Sequence, residues 1–157
     1  MTDVDTLGAF PRVAGRNLEG RTFTLPVDFE GRRNLVVIAF KREQQADVDT
    51  WMPFLTKVAA ADRELRVYEI PTLARGYRLM QSFIDGGMRR GIPDAAVRAT
   101  TITLYIDKTP FKGALRIADE DRIYVILLDR AGQVHWRAEG TFDPERAEEL
   151  VQRLANR

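Results

Sequence analysis

The chain has 157 residues, close to the length of one domain, and 45% of them are hydrophobic and 30% charged, which argues against a disordered or fibrous protein. The formal net charge is +1, so no general attraction to nucleic acid or membranes is expected. The chain contains no cysteine, which excludes disulfides, thiolate metal ligands and thiol redox catalysis.

The first half of the chain predicts strands alternating with helices. Short apolar runs are typical of buried strands, and apolar residues three and four apart are typical of amphipathic helices. The predicted elements are a flexible start over about 1–10, a hairpin turning at Gly20, a buried strand over 34–40, a helix over 48–59, a strand over 65–71 and a helix over 77–88. Pro53 lies inside the first helix, which is therefore either kinked there or begins at Met52.

The second half predicts a short helix, three strands and a closing helix. These are a helix over 94–99 capped by Asp94, an edge strand over 101–106, a buried strand over 123–128, an alternating strand over 133–138 and a helix opening at Asp143-Pro144. We therefore predict a single α/β domain over residues 1–157. Its central mixed sheet is flanked by helices and carries an N-terminal hairpin and a helical insertion, residues 75–98.

This order of elements resembles the thioredoxin-like superfamily. Asn17–Pro26 is similar to the opening hairpin of its redoxin and peroxiredoxin members. Tyr124–Trp136 and the segment Trp51-Met52-Pro53-Phe54 are similar to the mitochondrial ATPase-assembly factors and their bacterial relatives. The superfamily resemblance covers nearly the whole chain and implies a thioredoxin-like fold, whereas the assembly-factor resemblance rests on the last third and that one segment.

The resemblance also implies where a redox site would lie. With Pro53 at the kink position of the thioredoxin helix, the two thiols would fall at Gln45 and Val48, and neither side chain can exchange disulfides or reduce peroxide. The stretch 117–122, where the superfamily has its cis-proline, contains no proline. We therefore expect no catalytic residue.

A loop at the end of the first buried strand is the first candidate binding site. Lys41, Arg42 and Gln45 occupy it, and ligands of open α/β sheets bind at the carboxyl ends of the strands. A site at this position would bind a ligand, without thiol chemistry.

The insertion is the second candidate, because its arginines outnumber its two aspartates. Arginine suits carboxylate and phosphate recognition because its guanidinium forms paired hydrogen bonds. The candidate residues are Arg75, Arg78, Arg89 and Arg90. The alternative is a solvated helical face balanced by acidic stretches over 119–121 and 145–149. Phe111 is expected in a loop, where an exposed aromatic can anchor a partner.

Two further motifs favour structural roles. His135, the one histidine, falls on the outer face of a strand and is expected at the surface. With no cysteine and a single histidine, neither a metal site nor another cofactor is expected. Gly86–Gly91 lacks the spacing of a phosphate loop and follows a helix, so a helix end is favoured there.

Three functions remain open. The first is a non-catalytic thioredoxin-fold protein that binds another protein, as an assembly or chaperone factor. The second is a small-molecule or anion-binding module, or a weak cysteine-independent enzyme, using the loop after the first buried strand. The third is self-association, for example as a homodimer. The longest apolar run, Leu35–Phe40, is too short for a membrane helix and residues 1–7 do not resemble a signal peptide, so we expect a cytoplasmic protein without membrane insertion or nucleic-acid binding.

Overall fold

Seven strands form one mixed sheet in the computed structural model, which describes residues 7–156. In chain order the strands are β1 (Val13–Asn17), β2 (Thr22–Leu25), β3 (Arg33–Ala39), β4 (Leu65–Ala74), β5 (Ile102–Ile106), β6 (Tyr124–Asp129) and β7 (Val134–Glu139). Their order across the sheet is β2-β1-β5-β4-β3-β6-β7. Strands β3, β4 and β5 are parallel, and the other pairings are antiparallel. The prediction of a mixed α/β sheet is confirmed.

Five α-helices and two short 3₁₀ helices accompany the sheet. The α-helices are α1 (Gln45–Ala60), α2 (Gln81–Gly91), α3 (Ala95–Ala99), α4 (Lys108–Ala114) and α5 (Pro144–Ala155), and the 3₁₀ helices are Arg42–Gln44 and Arg75–Met80. Asp94, Asp107 and Asp143 cap α3, α4 and α5 with their carboxylates. Within the described part of the chain, no helix is long and apolar enough to cross a membrane.

Strand β3 is apolar from Leu35 to Ala39 because both of its faces are covered there. Val36 and Ile38 belong to one core with Phe111 of α4, and Leu35 and Val37 belong to a second core with residues of α1 and α5. Side chains alternate across a strand, so a strand between two cores has no face left for polar residues. The predicted central strand is confirmed.

Helix α1 begins at Gln45 and continues through Pro53, so the alternative start at Met52 is wrong. Trp51 stabilises the helix against the sheet, because it is fully buried and its Nε1 donates to the Gly140 carbonyl at 2.9 Å. Its ring meets Trp136 edge-on at a centroid distance of 6.0 Å. The tertiary contacts therefore outweigh the hydrogen bond that a proline cannot donate.

Strand β5 is not an edge strand, contrary to the prediction. The N-terminal hairpin adds to the sheet on its far side, where Arg16 pairs with Thr103 and Asn17 with Ile102. Thr101 and Thr103 are consequently buried. Threonine and apolar residues alternate in this segment because both faces of β5 are covered and one of them carries hydroxyl groups. The alternation does not indicate a face exposed to solvent.

Residues 9 and 10 are held in place, although the sequence predicts a flexible start over about 1–10. Residues 1–6 lie outside the described residues. The Ala9 amide donates to the Ala114 carbonyl at 3.1 Å, and the Phe10 amide donates to the Gly132 carbonyl at 2.8 Å. Phe10 is buried, so residues 9 and 10 belong to the folded domain.

Phe111 lies in helix α4 and is buried, so the predicted exposed loop aromatic is wrong. Its ring packs edge-on against Phe10 with centroids 5.5 Å apart. Asp107 caps the helix and Pro110 lies in its first turn, a combination that favours a helix start and was the signal for α4 in the sequence.

Replacing Phe111 with alanine tests this assignment. Phe111→Ala should lower the free energy of unfolding by about 3–5 kcal/mol, because a large buried ring leaves a cavity. Urea denaturation measures the change. The matched control is Phe83→Ala, since Phe83 is 72% exposed and its loss should change stability by roughly 0.5 kcal/mol or less. Equal losses in the two variants would contradict a core role for Phe111.

Candidate functional site

Gln44 closes the corner at the carboxyl end of β3. Its Oε1 accepts hydrogen bonds from the Phe40 amide at 2.8 Å and the Lys41 amide at 3.1 Å. Its Nε2 donates to the Glu120 carbonyl at 2.7 Å. One buried side chain therefore joins β3, the start of α1 and the loop before β6. The backbone amides that could have met a ligand here are already satisfied by the protein.

Gln45 and Val48, the positions where the resemblance implies thiols, differ in exposure. Val48 is buried in the second core, whereas Gln45 is exposed at the first residue of α1. The Gln45 Nε2 donates to Asp49 Oδ1 at 3.0 Å, and Gln45 also hydrogen-bonds the half-buried Glu69 of β4. Burial raises the pKa of Glu69, as does the negative charge of Asp49, while the hydrogen bond from Gln45 lowers it, and the net direction is upward.

Removing the charge of Glu69 should stabilise the protein at neutral pH. An acid whose pKa is higher in the folded state than in the unfolded state lowers the free energy of unfolding at any pH where both states are ionised. Below its unfolded pKa, where both states are protonated, it does not lower that free energy. Glu69→Gln should therefore raise the free energy of unfolding at pH 7, and this gain should disappear as the pH falls below the unfolded pKa of glutamate, about 4. Thermal unfolding between pH 3.5 and 7 measures it. Glu148→Gln, at an exposed position of α5, is the control, and a gain independent of pH would contradict the charge explanation.

Ion pairs hold the loop before β6, in the stretch 117–122 where the resemblance implies a cis-proline. Lys41 Nζ lies 2.9 Å from Asp121 Oδ1. Lys108 and Lys112, one turn apart on α4, each lie 2.7 Å from a different oxygen of Glu120. Burial disfavours ionisation of Glu120, but the hydrogen bonds from both lysines outweigh it and lower its pKa. These contacts connect α4 with the loop before β6.

A cavity of about 330 Å³ lies beside these pairs, at the carboxyl ends of β4 and β5. We call it the basic pocket, and its lining residues are Ala74, Arg75, Ile106, Asp107, Lys108, Thr109, Lys112 and Glu120. Of the candidate residues from the sequence, Arg75 lines it. Lys41, Arg42 and Gln45 do not, and Arg42 is exposed without a polar partner within residues 7–156.

The insertion turns its apolar side chains towards solvent. Leu79 is 99% exposed and Phe83 72%, and Tyr77 and Met80 are about half exposed. No side chain of Arg75–Met80 or Gln81–Gly91 is buried. The predicted helix over 77–88 is thus a 3₁₀ helix followed by α2, and its apolar side does not pack on the core. We call Tyr77, Leu79, Met80 and Phe83 the apolar patch.

Asp85 explains which side of α2 faces the sheet. The Tyr105 hydroxyl donates to Asp85 Oδ1 at 2.7 Å and the Thr103 hydroxyl donates to Oδ2 at 3.0 Å, so α2 faces β5 with its carboxylate. Both donors are buried strand residues. Burial and the hydrogen bond to Asp85 raise the pKa of Tyr105, which keeps the phenol protonated as a donor. The hydroxyl groups of β5 therefore select the polar side of α2.

The arginines of the insertion separate into two groups. Arg89 and Arg98 turn back to the N-terminal hairpin, where they lie 3.3 Å and 2.6 Å from Glu19 Oε2. Arg89 also donates to the Leu18 carbonyl at 2.7 Å. Arg75, Arg78 and Arg90 are exposed and have no polar partner in the described part of the chain. The positive charge available to a partner is therefore smaller than the sequence suggests.

Asp85→Ala tests the anchor. It leaves the Tyr105 hydroxyl without its acceptor, while the Thr103 hydroxyl keeps the Arg16 carbonyl at 3.3 Å, so stability should fall by about 1–3 kcal/mol. Amide exchange in Gln81–Gly91 should accelerate more than in β3, because the anchor holds the insertion locally. Asp94→Ala, which removes the cap of the neighbouring helix α3, is the control. Unchanged exchange in α2 would contradict this role for Asp85.

Several residues of these sites carry weak sequence signals. Glu19, Asp85 and Glu120 act through partners 79, 20 and 12 residues away, which no local pattern reveals. Lys108 and Lys112 could have been found from the cap at Asp107 and their spacing of four.

His135 is exposed as predicted, and its Nε2 lies 2.8 Å from Asp129 Oδ2. The described residues contain no group of three or more His, Cys, Asp or Glu side chains that could hold a metal ion.

Comparison with solved structures shows the fold of this chain. No protein-family model matches the sequence, and no curated protein matches it either. The thioredoxin domain of a thiol-disulfide oxidoreductase from Bacteroides vulgatus is 20% identical, with a TM-score of 0.61 over 98% of this chain and 100% of that one. BsSco, of the Sco family of cytochrome c oxidase assembly proteins, is 12% identical, with a TM-score of 0.61 over 99% of both chains. Copper-bound yeast Sco1 is also 12% identical, with a TM-score of 0.59 over 99% of this chain and 96% of that one. The chain therefore has the thioredoxin-like fold.

Proposed function

We propose that this chain is a non-catalytic thioredoxin-fold protein that binds another protein through its insertion. The observation that carries the proposal is the apolar patch, four large hydrophobic side chains exposed within one short segment. Scattered single hydrophobic residues are normal on a protein surface, whereas a group of them marks a place where another surface packs.

The apolar patch can supply the central contact of such an interface. Covering one fully exposed leucine or phenylalanine is worth roughly 1.5–3 kcal/mol. Leu79 and Phe83 are the most exposed of the four and are therefore the expected hot spots. Tyr77 and Met80 would complete the contact. Together these side chains are a reasonable basis for a transient association.

The charges around the patch indicate the chemistry of the partner. Arg75, Arg78 and Arg90 lie in the same segment without polar partners within residues 7–156. A partner surface with apolar side chains bordered by carboxylates would complement them, since arginine pairs with carboxylate through two hydrogen bonds. Such a rim of charge would contribute more to the association rate than to affinity.

The absence of cysteine supports a binding role over a redox role. Gln45 and Val48 stand at the thiol-equivalent positions, and Gln44 fills the adjoining corner with internal hydrogen bonds. The resemblance to ATPase-assembly factors and the shared fold with an oxidase assembly protein support an assembly or chaperone role. We place this activity in the cytoplasm, and homodimer formation through the same patch is the competing possibility that an experiment must separate.

Capture with matched surface variants tests the proposal. The bait is the full chain with a C-terminal affinity tag, and bound proteins are identified from native extract by quantitative mass spectrometry. The double variant Leu79→Ser/Phe83→Ser should lose a partner that the wild type retains by roughly tenfold or more, because hot-spot truncations typically cost at least 1–2 kcal/mol each. Its melting temperature should not fall, since both side chains are exposed.

The control is Val27→Ser/Val151→Ser, which removes two exposed apolar side chains outside the insertion. It should retain the partner. Capture of the same proteins in the same amounts by all three baits would overturn the proposal. Sedimentation of the wild type over a hundredfold range of concentration distinguishes self-association from binding to another protein. A homodimer formed through the apolar patch would give a mass that rises with concentration in the wild type and stays constant in the double variant.

A further inference from the structure

The basic pocket is an open depression that brings three cationic side chains together, and of the residues around the apolar patch only Arg75 lines it. Its cavity of about 330 Å³ falls at the small end of ligand sites, which span about 300–1,000 Å³. It lies where β4 and β5 end, and ligands of open α/β sheets bind beyond the carboxyl ends of their strands. We propose that this pocket binds a small phosphate monoester.

Donors for the phosphate are present on three side chains. Lys108 and Lys112 each direct one hydrogen bond to Glu120 and retain further N–H groups, because an ammonium has three. Arg75 is exposed and its guanidinium has no polar partner in the described residues. The lysines suit a tetrahedral anion as point charges, and the arginine can bind two phosphate oxygens together.

The charges around the cavity favour an anion over a cation. Three cationic side chains, Arg75, Lys108 and Lys112, oppose two carboxylates. Asp107 accepts the Thr109 amide as the cap of α4, and Glu120 is held between the two lysines. Glu120 is therefore an internal competitor that occupies the donors when no ligand is bound. This arrangement predicts that its removal strengthens anion binding.

The remaining wall favours an organic group on the phosphate. Ala74 and Ile106 line the cavity beside the charged residues, and Ile106 is partly exposed. Inorganic phosphate would satisfy the donors but leave this apolar wall in water. A monoester with a small apolar group covers both parts of the pocket.

Titration with defined phosphates tests the proposal. Phenyl phosphate, inorganic phosphate and acetate are each added to the full chain at constant ionic strength, and the amide shifts of Ala74 and Ile106 are followed by NMR. Phenyl phosphate should bind with the lowest Kd, inorganic phosphate more weakly, and acetate more weakly still. Arg75→Gln and Lys112→Gln should each raise the Kd roughly five- to tenfold, the loss expected for one charged hydrogen-bond donor.

Glu120→Gln gives the most specific result. It keeps hydrogen-bonding oxygen and nitrogen atoms beside the lysines but removes the competing charge, so the Kd should fall roughly two- to fivefold. Arg78→Gln, an exposed arginine that does not line the pocket, is the matched control and should leave the Kd unchanged. Melting temperatures confirm that each variant is folded.

Three outcomes would overturn the proposal: no saturable shift with phenyl phosphate, equal binding of acetate, or weaker binding in Glu120→Gln. The test does not depend on the proposed protein partner, because Leu79→Ser/Phe83→Ser should retain phosphate binding in full. Loss of phosphate binding in that double variant would also count against a separate pocket.

Discussion

The hydrogen bonds from two buried hydroxyls of β5 to Asp85 determine which side of α2 faces the sheet. Tyr105 and Thr103 face the same side of the sheet and need an acceptor once they are removed from water. A carboxylate on α2 supplies it, and the helix therefore packs through its polar side. Phe83, on the same helix, is left 72% exposed. Tyr77, Leu79 and Met80 of the preceding 3₁₀ helix are exposed beside it in the chain.

Side-chain amides and ion pairs occupy the carboxyl ends of the parallel strands. Gln44 satisfies the backbone where β3 ends, and Glu120 joins two lysines where β4 and β5 end. The thioredoxin-like fold is retained because its stability depends on the two cores on either side of β3, and neither core involves a thiol. Neither core therefore depends on the residues at the carboxyl ends of the parallel strands for a thiol contact.

Elements with strong local periodicity could be predicted, and side chains with distant partners could not. The apolar run of β3 and the cap of α5 at Asp143 are visible in the sequence because neighbouring residues determine them. Strand β5 was misplaced at an edge since its partner β1 lies more than 80 residues away along the chain. Phe111 was placed in a loop because a seven-residue helix offers too few positions to show a period. The sequence predicts Arg89 as a surface charge free for a partner, but Arg89 pairs with Glu19 of the hairpin, as does the neighbouring Arg98.

The sequence by itself determined the main strands, the order of the main helices and the absence of thiol chemistry, because these depend on hydrophobic spacing and on residue identity. Only the tertiary structure decided which side of the insertion faces the sheet and which cations remain unpaired. Amphipathicity indicates that a helix has two faces, and burial normally chooses the apolar one. Here the acceptor needed by Tyr105 and Thr103 reversed that choice, through contacts about 20 residues apart in the chain that spacing alone does not encode.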